Sequence, residues 1–402
     1  MRMRSKAMFR SLCLAALLAC VSADAQAQAQ RPAAPTTVYI TPNATVYSQC
    51  AGNCDVFAAS TASGVSSYTG PGDIKTGASY WYGLRGYNAA YATGSNNAIN
   101  VRRASDNSTT NIVILSSGAL DIATANTFGG TDATCVGAIA VTTLTVASCS
   151  SGTLHVSDPI TDANITLGTI ITALGTGSGG AGTYTVSISQ TAASATFTAA
   201  VALFVPEWYD QIATQHATMA TAGNQAQLLP NCGNSLPCLS FNGTSDYYNA
   251  TASAGPSQPY TVSAVINTTS TIAAPNFDYD YLSTYGGGGF IAHTNQGAAN
   301  LAGGYAGGGA SVTAANNVLH AIQTAFNGGG GFINVDGTNT TENFGSNGAG
   351  TPVAVGNLQS GNNRFFLGYI NEVGFWPILF SGTNTTAVCH NQRVYWTTGG
   401  SC

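Results

Sequence analysis

Residues 318–337 read VLHAIQTAFNGGGGFINVDG. Two apolar runs of strand length flank four consecutive glycines, Gly328–Gly331, and the second run ends on Asp336-Gly337. Val318, Ile322 and Phe326 fall on one side of an extended chain, as a half-buried strand requires. Asp-Gly tolerates the positive φ values of a two-residue hairpin turn. The same grammar continues outward in SFNGTSDYY (240–248), YTVSAVINT (260–268) and RFFLGYINEVGFWP (364–377). Many strands separated by glycine-rich loops, with no βαβ alternation, predict an all-β antiparallel sandwich.

Towards the amino terminus, Tyr80, Leu84, Tyr87 and Tyr91 recur at helical spacing and predict a short helix. Asn100 to Ile112 predicts a hairpin turning at Ser105-Asp106-Asn107. Ala119 to Phe128 predicts a helix capped by Asp121, and Asn384 to Trp396 a terminal one. Residues 130–200 differ in character. VGAIAV, TLTVAS, GTLHVS, TIITAL and TYTVSISQ alternate like strands, and no aromatic residue lies between Thr131 and Tyr184. This stretch is expected to be a small β-domain inserted into a host. The expected organisation is a signal peptide at 1–27, a spacer at 28–49, host at 50–128, insert at 129–201 and host again at 202–402.

The first residues carry Arg2, Arg4, Lys6 and Arg10, then an apolar run from Ser11 to Val21 and small residues suited to signal peptidase. That predicts export. Cys20 in Leu17-Leu18-Ala19-Cys20 offers an alternative, a lipidated terminus. No later run is apolar for long enough to form a transmembrane helix. Cysteine use agrees with export: 10 in all, and removal of Cys13 and Cys20 leaves 8. They fall in local pairs, Cys50 with Cys54, Cys135 with Cys149, Cys232 with Cys238 and Cys389 with Cys402, and predict disulfides. No histidine stands at ligand spacing from two cysteines, so no metal and no cofactor is expected.

Charged residues are 7% of the chain, the formal net charge is −5, and Lys6 and Lys75 are the only lysines. Such a surface has no basic footprint for nucleic acid. A face of Ser, Thr, Asn and Gly suits neutral polymers such as glycans. Gly286–Gly289 and Gly328–Gly331 lack a following Lys-Ser/Thr and are not phosphate cradles. Aromatic residues on glycine-rich stretches, Tyr279, Tyr281, Tyr285, Phe290 and Tyr305, are candidates for stacking on sugar rings.

Four blocks in order, CDVFAAS from Cys54, VRRASDNSTTNI from Val101, ALDIATANTF from Ala119 and WYDQ at Trp208–Gln211, resemble the catalytic domain of α-L-arabinofuranosidase B, glycoside hydrolase family fifty-four. The later strand series has the order of concanavalin-A-like, laminin-G-like sandwiches. The resemblance covers roughly residues 50–128 and 203–396. It implies a jelly-roll sandwich that removes terminal arabinofuranose by a retaining mechanism, with a Glu nucleophile and an Asp acid/base.

This sequence departs from that pattern where the chemistry lies. The nucleophile position, in Thr313-Ala314-Ala315-Asn316-Asn317, is Ala315. The acid/base position after Gly356 is Asn357. Pro275-Asn276 replaces the cysteine pair before Phe277-Asp278-Tyr279. Among the remaining carboxylates, Glu372 and Asp278 are the weak catalytic candidates. Asp278, Tyr279, Asp280, Tyr285, Tyr305 and Asn357 are the candidate ligand contacts, whereas Asp210 and His216 read as a structural loop anchor. The expectation is an exported carbohydrate-binding protein that has lost the acid pair. The alternatives are an active α-L-arabinofuranosidase and a cell-surface adhesin or structural protein.

Overall fold

The structure, a computed structural model, describes residues 68–402 apart from 233, 251–256, 269–278, 285–290, 296–300, 351 and 359–363. The expected signal peptide, the spacer, Cys50, Cys54, Asp278, Tyr285 and Phe290 lie outside the described residues, as do the glycines of 286–289.

Two antiparallel layers enclose the main core. One is centred on Leu367–Trp376. It is flanked on one side by Tyr80–Gly83 and Cys238–Asn242, and on the other by Tyr260–Thr268. His320–Phe326, Gly331–Val335 and Thr338–Glu342 continue outward from there. The second layer begins with the hairpin Asn96–Arg103 and Thr109–Ile114 and passes through Leu203–Trp208, Ala217–Thr218 and Tyr248–Ala250. It ends with Val353–Val355, Tyr279–Thr284, Ile291–Asn295, Leu301–Tyr305 and Gly309–Thr313. Gln227–Leu229 pairs with a strand of each layer and joins them. Between the layers, Tyr260 stacks on Phe375 and Phe326 with ring centroids 5.3 and 5.0 Å apart. The aromatic rings bury the largest apolar area per residue and fix the layer spacing.

The helix Gly382–Trp396 is capped by Ser381, which accepts from Asn384 N at 3.2 Å, and is tied by Cys389–Cys402. It lies over the outer face of the first layer, where Val388 packs with Trp81, Trp376 and Phe380. This covering explains one correction. His320–Phe326 was expected to be half-buried with Val318 on its inner face; all seven residues are buried and Val318 lies outside the strand, 39% exposed. A strand closed over on both faces need not alternate.

The second correction concerns Tyr80. The segment forms the strand Tyr80–Gly83, not a helix, and pairs with Phe375 to Glu372. Trp81 lies across Gly374, where an added Cβ would stand 2.3 Å from the indole. Pairing on a central strand outweighs the local spacing. Elsewhere the local signals hold. Asp121 caps the helix Ile122–Gly129 through Thr124 N at 3.1 Å. Asp336 and Gly337 turn the hairpin with φ of 51° and 96°.

Residues 131–200 form a separate four-stranded sheet with its own apolar cluster. Thr131–Gly152 and Gly182–Ala200 pair along their length, from Thr131 opposite Ala200 to Val146 opposite Gly182. The ribbon doubles back near Val141, whose φ is 58°, and the Cys135–Cys149 disulfide clasps the two halves. Phe197, Tyr184, Leu144 and Ile139 fill the space between.

Candidate functional site

Glu372 is a weak catalytic candidate in the sequence, where a structural, hydrogen-bonded role fits its strand better, and the structure gives it a partner 287 residues away. Arg85 meets both its oxygens, Nε–Oε2 at 2.5 Å and Nη2–Oε1 at 2.9 Å, and both side chains are fully buried. Gln392 Nε2 donates to Oε1 at 2.9 Å, and its Oε1 accepts from Gln323 and Ser263. The guanidinium also sits 4.7 Å from the centre of the Tyr395 ring. Burial pulls the Arg85 pKa down, and the facing carboxylate more than reverses it. Glu372 therefore fastens the terminal helix to the first layer and has no route to a sugar.

Other carboxylates of the host hold backbone or paired side chains. Asp210 accepts from the amides of Trp81, Ile212 and Ala213 at 3.0–3.1 Å, while His216 Nδ1 accepts from the Asp210 amide. Gln211 beside it donates to the carbonyls of Gly83 and Arg85. The block WYDQ is thus a clamp on residues 81–87. Asp336 pairs with His320 and caps Ala321 N at 2.9 Å. Asp246 accepts from Asn242 N at 2.9 Å, and burial lifts its carboxyl to about 7.

Of the expected ligand contacts, Asp280 and Tyr305 lie on the two strands that flank Ile291–Asn295 in the second layer, and Asn357 is bonded through its carbonyl to the strand that carries Asp280. Asp280 is fully buried and pairs with Arg364 Nη2 at 2.9 Å. Ser283, on the same strand, donates to the carbonyl of Asn357 at 2.8 Å, and Asn357 is 2% exposed. A bulge between Asp280 and Leu282 shifts the register there, a device that re-aims side chains. Asp280 stands opposite His293, His293 opposite Gly303 and Gly303 opposite Ser311, so these positions share one face of the sheet. Ala292, Ala302 and Ala306 take the other face, in the core. A Cβ on Gly303 would come within 2.6 Å of the His293 ring. Two residues on, Tyr305 exposes 43% of its surface opposite Gly309. Its Cδ2 is 3.7 Å from where a Gly309 Cβ would stand. Tyr305 thus presents a ring beside bare backbone.

Tyr281 is buried in the core, with its hydroxyl 3.5 Å from Thr324 Oγ1, and is not a loop contact. Tyr279 begins the strand Tyr279–Thr284. Ala315, the position matched to the nucleophile, lies in the exposed turn before His320 and gives its carbonyl to His320 Nε2 at 2.8 Å.

Sequence reading missed His293, whose only signal is its place in the alternation of a strand facing a glycine. It also missed the group best able to hold a cation among the described residues. Asp132, His155 and Asp158 bring their donor atoms within 4.8 Å of one another. His155 Nδ1 contacts Asp132 Oδ2 at 2.5 Å, and the His155 amide donates to Asp158 at 2.6 Å. Burial, then the neighbouring Asp132, pushes the Asp158 carboxyl up to about 7, so this cluster also suits a shared proton.

No protein-family model and no curated protein matches the chain. Solved structures do resemble it. One is an arabinofuranosidase complexed with arabinofuranosyl-α-1,2-xylobiose: 16% identity and TM-score 0.48, over 80% of this chain and 64% of that one. Another is a mutant α-L-arabinofuranosidase of glycoside hydrolase family fifty-four soaked with 4-nitrophenyl α-L-arabinofuranoside, at 15% identity, TM-score 0.49 and the same coverage. A Trypanosoma rangeli sialidase in complex with sialic acid matches 48% of this chain and 32% of that one, at 13% identity and TM-score 0.33. The chain spans 64% of the length of the arabinofuranosidases it matches. Among the described residues no helix is long and apolar enough to cross a membrane.

Proposed function

We propose that the protein is an exported carbohydrate-binding protein whose ligand lies against Tyr305 and Gly309, on the strands Leu301–Tyr305 and Gly309–Thr313. One observation carries this reading: an exposed Tyr305 ring beside the bare backbone of Gly309. Sugar C–H faces stack on such rings, while buried polar groups fix orientation by accepting and donating to hydroxyls. The near absence of lysine and the low charge favour a neutral glycan, with arabinose-containing polymers first in line from the motif resemblance. Retaining cleavage needs two carboxyl groups about 5–5.5 Å apart. Here Glu372 is committed to Arg85 and Asp280 to Arg364, so the reading is binding without hydrolysis. Disulfides and the basic, then apolar, start of the chain support export.

The test pairs affinity electrophoresis on arabinan and arabinoxylan with hydrolysis of 4-nitrophenyl α-L-arabinofuranoside. Binding without turnover is expected, and Tyr305→Ala should weaken it about tenfold, the effect of losing roughly 1.4 kcal/mol of ring stacking. Turnover that disappears in Asp278→Asn would overturn the reading in favour of an active arabinofuranosidase.

A further inference from the structure

The insert of residues 131–200 is nearly free of charge, and what it has is gathered in one place. It contains no lysine, arginine or glutamate, three aspartates (Asp132, Asp158 and Asp162) and a single histidine, His155. Two of those aspartates and the histidine each bring a donor atom within 4.8 Å of the others. Charges that serve only solubility are spread over a surface, whereas three of these four side chains converge.

The backbone holds the cluster in place. Asp132 opens the strand Thr131–Gly152, and the end of that strand folds back against it, with the Thr153 amide on Asp132 O at 3.3 Å. A Cβ on Gly152 would stand 1.7 Å from Asp132 O, so this approach requires glycine. The chain then turns through His155 to Asp158. Within that turn Ser157 donates its amide to Ile171 O at 2.7 Å, and its carbonyl accepts from Gln227 of the host at 2.6 Å.

Asp158 is 2% exposed. Its Oδ2 accepts from the His155 amide at 2.6 Å, and no donor among the described residues meets its Oδ1. The carboxyl lies instead against that of Asp132. His155 Nδ1 stands 2.5 Å from Asp132 Oδ2 and 3.9 Å from Asp158 Oδ2. Among the described residues no lysine or arginine pairs with either aspartate. Two carboxylates in contact repel unless a proton or a cation lies between them.

We infer that Asp132, His155 and Asp158 form a binding site for a divalent transition-metal cation, with zinc the best match. Imidazole with carboxylates suits zinc, whereas calcium and magnesium favour oxygen donors alone. Tetrahedral bonds of about 2.0–2.1 Å set ligand atoms roughly 3.4 Å apart, and the separations of 2.5 and 3.9 Å bracket that value. The His155 side chain is 60% exposed, so it opens the shorter contact without disturbing the core. Binding displaces the proton held between Nδ1 and Asp132. The sequence expectation of no metal concerned cysteine and histidine spacing, and this set uses carboxylates. The site shares no residue with the strands that carry Tyr305 and does not rest on the function proposed for them.

The experiment titrates untagged, EDTA-stripped full-length protein with zinc chloride at pH 7.5 in a calorimeter. One zinc per chain is expected, at about 10 μM or tighter. His155→Ala and Asp132→Asn, at side chains that reach the surface, should each weaken binding at least tenfold with an unchanged circular dichroism spectrum. His390→Ala, at an exposed histidine of the terminal helix, should leave it unchanged. Absence of saturable binding in folded protein would overturn the inference. So would binding that survives in both His155→Ala and Asp132→Asn, which would mark it as adventitious, or binding lost in His390→Ala, which would move it to the helix. Calcium bound as tightly as zinc and retained in His155→Ala would overturn the transition-metal assignment.

Discussion

Replacing Glu372 by glutamine separates a structural carboxylate from a catalytic one. The substitution keeps the size of the side chain and removes its charge, leaving Arg85 fully buried without its counter-ion. Removing one partner of a buried ion pair costs about 3–5 kcal/mol, because the remaining charge stays desolvated. At roughly 2–4 °C per kcal/mol for a domain of this order of size, the melting temperature should fall by about 10 °C. Calorimetry and urea unfolding, with the slope checked for constancy, would read this directly. Glycan affinity at a temperature where the variant is folded should not change. The double variant Arg85→Met/Glu372→Leu should lose less than the sum of the two single changes, since neither charge is left alone. Gln392 would still lose its acceptor in that background, so full recovery is not expected. A Glu372→Gln protein within 1 kcal/mol of the wild type would refute the claim that this pair fastens the terminal helix.

Stability of the metal-free protein should fall between about pH 4 and pH 7. Asp246 and Asp158 have carboxyls raised to about 7 by burial, against 3.8 when unfolded. The neutral forms are favoured in the fold, so stability present below about pH 4 is lost as pH rises through 7. His155, raised by its bond to Asp132, and His320, where Asp336 outweighs burial, act in the same direction above pH 6.5. A melting temperature that stays flat or rises over this range would contradict the assignment, and Asp246→Asn should reduce the slope. Gly303→Ala should cost about 1–3 kcal/mol by overpacking against His293 and should weaken glycan binding. Urea midpoints and affinity electrophoresis check it, and a neutral substitution with full affinity would remove His293 from the site.

How much the sequence disclosed follows the range over which each signal acts. The Asp121 cap, the Asp336-Gly337 turn and the terminal helix are set by residues within a few positions, and they were legible. So were the pairs Cys135–Cys149, Cys232–Cys238 and Cys389–Cys402. Tyr80 misled because residues 80, 84, 87 and 91 fit a helix, and only Leu367–Trp376, almost 300 positions later, makes the segment a strand. The strand pattern around Glu372 favoured a buried structural carboxylate over a catalytic one, but its partner Arg85 could not be read, being equally remote. Asp280 and Asn357 were singled out from their motifs, but His293 enters only through strand register.

The small sheet of residues 131–200 leaves and rejoins the rest of the chain at one point. Thr131 is paired with Ala200, and the Val201 amide bonds to Gly130 O at 3.3 Å. Beyond that neck Arg103 pairs with Leu203 as if nothing had intervened. Away from that neck the sheet also rests on its carrier, where Gln227 Nε2 donates to Ser157 O at 2.6 Å and Ile170 packs against Leu229, Cys232 and Cys238, so its removal would uncover these groups as well as leave one ladder rung to be sealed.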